Sequence, residues 1–114
     1  MKSFLLKTLR IFVASSSILI SSNAYSSSST AGLIYNVTVW DGKVLFFTTG
    51  TRTAAPSCQG VAGRWAIDAT TAKGQAMFSA LLTASAMGKP VVIMGTGSCA
   101  DWGDTESVQW LQIP

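Results

Sequence analysis

Residues 71–95, TAKGQAMFSALLTASAMGKPVVIMG, decide the fold because a helical pattern changes there into a strand pattern. In the first part, small and apolar side chains recur at helical spacing: Ala72, Ala76, Met77, Ala80, Leu81 and Ala84. Gly88 and Pro90 then end the helical pattern, since glycine adopts the left-handed conformation at many helix ends and proline cannot continue a helix. We therefore predict a helix over 71–87, followed by a buried central strand at VVIMG.

Strand patterns lie on both sides of this helix. They are LIYNVTVW at 33–40, KVLFFTT at 43–49, RWAID at 64–68 and SVQWLQI at 107–113. Asp41 and Gly42 join the first two patterns, and an Asp-Gly pair in that place is typical of a tight hairpin turn. The order strand, strand, strand, helix, strand, strand predicts a mainly β fold with one helix, a five-stranded Greek-key barrel like the OB-fold. An α+β sheet with one helix packed on its face is the alternative.

The first 24 residues have the order of a secretory signal peptide. Three basic residues and no acid in the first ten are followed by an apolar stretch over 11–20 and by small residues ending at Ala24. That stretch is too short to span a membrane and has the flanks of a cleaved leader. We expect an exported protein, periplasmic or secreted, that does not remain in the membrane after cleavage.

The chain after the leader is long enough for one small domain. Residues 25–32 contain a serine tract with nothing to bury, which predicts a flexible Ser-rich arm. Residues 33–114 contain all the strand and helix patterns and are expected to form a single OB-like domain. A domain of this size buries roughly two-thirds of its unfolded surface, enough for one modest core.

The net charge argues against several classes of partner. The full chain carries eight Lys and Arg against five Asp and Glu. Three of the basic residues lie in residues 1–24, so the remaining chain is formally neutral. Binding to nucleic acid depends on many basic groups that neutralise phosphates, and an anionic membrane surface makes a similar demand. We expect neither partner.

The content of histidine and cysteine argues against an enzyme. The chain has no histidine, which excludes the common nucleophile–histidine arrangements and histidine-based zinc sites. Cys58 and Cys99 are the only cysteines, and they do not form a CxxC pair. In an exported protein an isolated pair predicts a disulfide, which leaves no thiolate nucleophile. We expect no catalytic activity and no cofactor.

One loop contains most of the acidic residues. Asp101, Asp104 and Glu106 lie within six residues, and carboxylates so close together are potential calcium ligands. Their spacing differs from that of an EF-hand loop. We favour a solvated turn in which the aspartates bond local backbone amides, and we expect no metal site.

The same loop contains a tryptophan among polar residues. An aromatic ring beside carboxylates and hydroxyls is suited to a sugar, because the ring covers its apolar face while the polar groups bind its hydroxyls. The candidate ligand-binding residues are Asp101, Trp102, Asp104 and Thr105 in this loop, with Arg52 and Arg64 beside it for an acidic ligand. The alternative is that Trp102 folds back over the disulfide as part of a small core.

Three motifs carry a resemblance to known proteins. A cysteine precedes RWAID, GQAMFSALLTASAMGKPVVI runs through the helix and strand, and GTGSCADWGDTESV follows. They resemble a group of short exported bacterial proteins that are mostly uncharacterised. The layout is also similar to the subtilase cytotoxin B-subunit family, in which a helix with small residues leads into a Gly-x-Pro-Val strand. That resemblance implies a secreted OB-fold that forms a pentameric ring and binds cell-surface glycans. It supplies no sugar-contacting residue, since no site motif matches position by position.

Two functions follow as expectations. The first is a secreted non-catalytic binding module whose partner is a cell-surface glycan. The second is a periplasmic or secreted protein that binds or inhibits another exported protein through a sheet edge or its helix. An exposed Trp102 and a signal on a glycan array would favour the first; one specific protein partner without sugar binding would favour the second.

Overall fold

The computed structural model describes residues 26–114, so the predicted signal peptide lies outside the described residues. The described chain forms β1 (Ser28–Gly32), β2 (Ile34–Trp40), β3 (Lys43–Thr48), β4 (Trp65–Asp68), α1 (Ala72–Ala86), β5 (Val91–Gly95) and β6 (Glu106–Gln112). All strands belong to one sheet, in the order β1-β5-β6-β4-β3-β2. The predicted mainly β fold with one helix is confirmed, and the helix lies at its predicted place in the strand order.

The sheet curls into a half-barrel because of how its two ends are connected. β1 and β2 stand at opposite ends of the strand order, yet only Leu33 separates them in the chain. At this corner the backbone N–H of Thr49 donates to the carbonyl of Leu33 over 2.9 Å. Neighbouring strands are antiparallel except β4 and β6, which are parallel.

The structure has six strands where the sequence predicted five, and the additional strand is β1. The flexible arm predicted over 25–32 is wrong for Ser28–Gly32, which form β1 and pair with β5. The other edge of β1 is hydrogen-bonded to the segment after β3. Thr30 N–H donates to the Thr51 carbonyl (2.9 Å), and Thr53 N–H donates to the Ser28 carbonyl (2.8 Å). Backbone hydrogen bonds on both edges keep this serine tract extended. The tract has no large apolar side chains, and a sequence pattern predicts a strand mainly from the spacing of such side chains.

The core lies between the helix and the strands that face it. Its buried side chains are Val44, Phe46, Trp65, Ile67, Leu81, Ala84, Val91, Ile93 and Val108. The helix begins very close to the end of β4, because Thr71 caps it and Gly74 has no side chain. The Thr71 hydroxyl accepts from Gly74 N–H over 3.0 Å, and a Cβ at Gly74 would overlap the carbonyl of Asp68.

The predicted disulfide between Cys58 and Cys99 is confirmed, with a Cα–Cα distance of 6.2 Å. It joins the loop before β4 to the loop between β5 and β6. Nearby, Gly60 N–H donates to the Asp104 carbonyl over 2.7 Å, so the two loops are also joined by their backbones. Within residues 26–114, no helix is long and apolar enough to cross a membrane.

β2 is the most exposed strand of the sheet. In the described chain it pairs with β3 alone, and its apolar residues Tyr35, Val37, Val39 and Trp40 are all exposed. A β-bulge interrupts the β2–β3 pairing at Asn36, whose φ is 50°. The hairpin turn after β2 is the predicted one, since Asp41 and Gly42 have φ of 47° and 73°.

Candidate ligand-binding site

The loop between β5 and β6, residues 96–105, is followed by a completely buried carboxylate at Glu106. One oxygen, Oε1, accepts from Arg52 Nη2 at 2.5 Å and from the Ser27 hydroxyl. The other, Oε2, accepts from the backbone N–H groups of Gly97 (2.8 Å) and Ser27 (3.3 Å). The carboxylate therefore ties the start of β1 to the loop, and every interaction it makes is internal.

Arg52 is fully engaged in the same network. Its guanidinium lies 3.8 Å from the centroid of the Trp65 ring, a cation–π contact. Nη1 donates to the Arg64 carbonyl at 3.0 Å, and Nε donates to the Ala54 carbonyl at 2.9 Å. With its side chain 12% exposed, Arg52 stabilises the interior, and the prediction that it faces an acidic ligand is corrected.

Gly95 makes room for this buried carboxylate. A Cβ at Gly95 would overlap Glu106 Oε2 and lie 2.7 Å from the Trp65 ring. In the sequence, Gly95 ends the predicted strand VVIMG, and Glu106 is one of three neighbouring acids. Their relation was missed because only the folded chain shows that a glycine at this point faces a charge 11 residues later.

Arg64, Asp104 and Thr105 form a second closed cluster. Arg64 Nη2 lies 2.6 Å from Asp104 Oδ1, and Arg64 Nε donates to the Thr105 hydroxyl over 2.8 Å. That hydroxyl donates in turn to Asp104 Oδ1 at 3.1 Å, and Thr105 is completely buried. The structure brings these three predicted residues together, but Thr105 is not available to a ligand. Asp104, with its side chain 51% exposed, is the accessible member.

Trp102 is half-buried. The sequence allowed either an exposed ring that binds a sugar or a ring folded back over the disulfide, and the observed burial lies between these two alternatives. The Trp102 carbonyl accepts from Thr105 N–H over 3.0 Å, and the two residues form an isolated β-bridge. Trp102 therefore sits at the start of a tight backbone turn that presents Gly103 and Asp104 to solvent.

The three acids within residues 101–106 do not converge. Asp104 pairs with Arg64, Glu106 pairs with Arg52, and Asp101 lies on the side of the loop that faces α1. Among residues 26–114, no group of three or more His, Cys, Asp and Glu side chains is arranged to hold a metal ion.

A pocket of about 210 Å³ lies on that side, between the loop and the first turn of α1. Its charged and hydroxyl lining comes from Asp68, Thr71, Lys73, Thr96, Ser98, Asp101 and Ser107, and the rest of the lining is Gly74, Met77, Ala100 and Val108. The loop wall is held by backbone bonds, since Thr96 N–H donates to the Ser107 carbonyl and Ser107 N–H donates to the Ser98 carbonyl, both over 2.9 Å. A wall ordered before binding lowers the entropy cost of holding a ligand.

The charged groups of the pocket have different surroundings. Asp68 bonds Lys43 Nζ at 2.9 Å and Thr70, and these hydrogen bonds lower the pKa of its carboxyl to about 2. The side chains of Asp101 and Lys73 make no hydrogen bond or ion pair with any described residue, whereas Asp101 N–H donates to the Ser107 hydroxyl over 3.0 Å. The pocket thus offers one carboxylate and one ammonium whose hydrogen-bonding capacity is available.

We compared the chain with protein-family models, curated proteins and solved structures, and none matches.

Proposed function

We propose that this chain is an exported, non-catalytic binding module that holds one sugar residue of a glycan in the pocket between α1 and the β5–β6 loop. The observation that carries the proposal is the composition of that pocket. An available carboxylate, an available ammonium and several hydroxyls surround a cavity of about 210 Å³, which suits one sugar ring. Carboxylates accept hydrogen bonds from sugar hydroxyls, and hydroxyl side chains both donate and accept.

Binding without catalysis is supported by the state of the reactive groups. The chain has no histidine, and the described residues contain no free cysteine. The carboxylates of Glu106 and Asp104 are each paired with an arginine. The Cys58–Cys99 disulfide supports export, because such bonds persist in oxidising compartments.

The proposal predicts a specific loss at Asp101. A glycan array identifies the ligand, and calorimetry then compares Asp101→Asn with the wild type. We expect binding to weaken by roughly 10-fold or more, since a hydrogen bond to a charged group contributes about 1.5–3 kcal/mol. Asp41→Asn is the matched control, an exposed turn aspartate outside the pocket, and should bind normally. Unchanged binding by Asp101→Asn would place the ligand elsewhere.

A second function, binding of another exported protein, is favoured by β2. An extended segment of a partner can add to an open sheet edge through backbone hydrogen bonds, with apolar side chains supplying further area. The bulge at Asn36 leaves Thr38 to Trp40 as the regular part of that edge. Val39→Lys should then abolish capture of the partner and leave sugar binding intact. Sedimentation of the wild-type protein shows whether the occupant is a second copy, as in the ring implied by the resemblance.

A further inference from the structure

A second cavity lies along the same helix. It is an open, mainly apolar groove of about 320 Å³ between α1 and β6. Ala76 and Ala80 form the helix side of the groove, and Trp110 and Leu111 form the strand side. The pocket described above and this groove share Lys73 and Met77 in their linings, so they adjoin each other.

Trp110 is the aromatic side chain in the lining of the groove. Trp110 lies in the strand β6, yet the residue is 42% exposed. β4 pairs with β6 only at Glu106 and Ser107, so the second half of β6 has no strand on that side. The helix residues opposite are alanines, which leave the groove beside Trp110 open.

The length of the combined cavity suits more than one sugar ring. Lys73 and Ala80 are seven residues apart on the helix, which corresponds to about 10 Å along its axis. The polar end offers Asp101 and the hydroxyls, and the far end offers an aromatic ring with small apolar neighbours. Two rings placed one after the other would meet these two surfaces in turn.

We infer that the pocket and the groove are one site, and that it binds a glycan of at least two residues: one ring in the pocket and the next stacked on Trp110. This inference rests on the proposed function and adds its ligand class. A sugar ring has an apolar face and polar edges, which matches an aromatic wall in an open groove with Lys73 and Gln109 at its margin. A wholly apolar ligand would not use the hydrogen-bonding groups at the pocket end.

The experiment compares single sugars with disaccharides built from them. Glucose, galactose, mannose and N-acetylglucosamine are titrated into ¹⁵N-labelled protein, followed by cellobiose, lactose, mannobiose and chitobiose. For the sugar that binds, we expect the single residue to shift the amides of Lys73 and Asp101 but not the indole N–H of Trp110. The matching disaccharide should shift all three and bind about 10-fold more tightly, a gain of about 1.4 kcal/mol.

Two tryptophan variants make the test specific. Trp110→Leu should remove the gain of the disaccharide and leave affinity for the single sugar unchanged. Trp40→Leu is the matched control, because Trp40 is 68% exposed and does not line either cavity, and it should keep the gain. Equal affinity for one and two residues, or an unshifted Trp110 indole, would overturn this inference while the proposed function stands. Failure of all eight sugars to bind, together with no signal on the glycan array, would overturn both.

Discussion

Glu106 and Asp101 lie five residues apart, and their carboxylates have opposite surroundings. The Glu106 carboxylate is completely buried and is bonded by Arg52, Ser27 and Gly97. The Asp101 carboxylate has no bonding partner among the described residues and lines a pocket. A charge taken out of water must be paired and hydrogen-bonded, whereas a solvated charge need not be. The difference separates a carboxylate that holds the fold from one that is available to a ligand.

The largest expected effect comes from removing the buried carboxylate. Glu106→Ala leaves the Arg52 guanidinium buried without its counter-charge, so we expect the free energy of unfolding to fall by about 3–5 kcal/mol in urea denaturation. Asp104→Ala is the matched control, because it removes the partner of Arg64 at a half-exposed site, where an ion pair contributes about 0–1 kcal/mol. Similar small losses in both variants would show that burial does not distinguish the two pairs.

A smaller effect tests the space around the buried carboxylate. Gly95→Ala introduces a Cβ against Glu106 and Trp65, and overpacking of this kind costs about 1–3 kcal/mol. The same denaturation measurement on Gly103→Ala should show a change within about 0.5 kcal/mol, since a Cβ there would meet no atom within 4 Å. If Gly95→Ala is equally neutral, the carboxylate is less tightly enclosed than its contacts indicate.

The smallest expected effect concerns the other acid of the pocket, Asp68. Its carboxyl has a pKa of about 2 instead of 3.8, chiefly because of the hydrogen bond from Lys43. A carboxyl with a lowered pKa in the folded state stabilises the fold above its unfolded pKa, and this contribution is lost as the pH falls from about 4 to about 2. Unfolding measured across that range should therefore show a shallower loss of stability in Asp68→Asn than in the wild type.

A second variant assigns the cause of that pH dependence. Lys43→Met removes the main hydrogen bond to Asp68 and should flatten the same part of the pH profile. A wild-type slope in both variants would mean that other carboxyls account for the acid sensitivity, and that the Lys43–Asp68 pair at the rim of the pocket does not contribute to it.

Patterns that are local in the sequence predicted the fold well. The helix is Ala72–Ala86 where 71–87 was predicted, and the Asp41-Gly42 turn has the positive φ angles that its residues favour. β1 was missed because its order comes from partners far along the chain, in β5 and in residues 51–53, and not from its own serines. The exposure of Trp110 also depends on a distant part of the chain, since the place where β4 ends leaves the second half of β6 without a neighbour on that side.

For the candidate site, the sequence by itself singled out the loop between β5 and β6 and determined which two cysteines join that loop to the rest of the domain. It also determined which residue types are present there. Only the tertiary structure decided that Arg52 and Thr105 are internal, that Glu106 is buried, and that Asp101 and Lys73 line the same pocket. The physical reason is that burial and pairing depend on residues distant in the chain. Asp101 and Glu106 have similar chemistry in the sequence and differ only once the chain around them is folded.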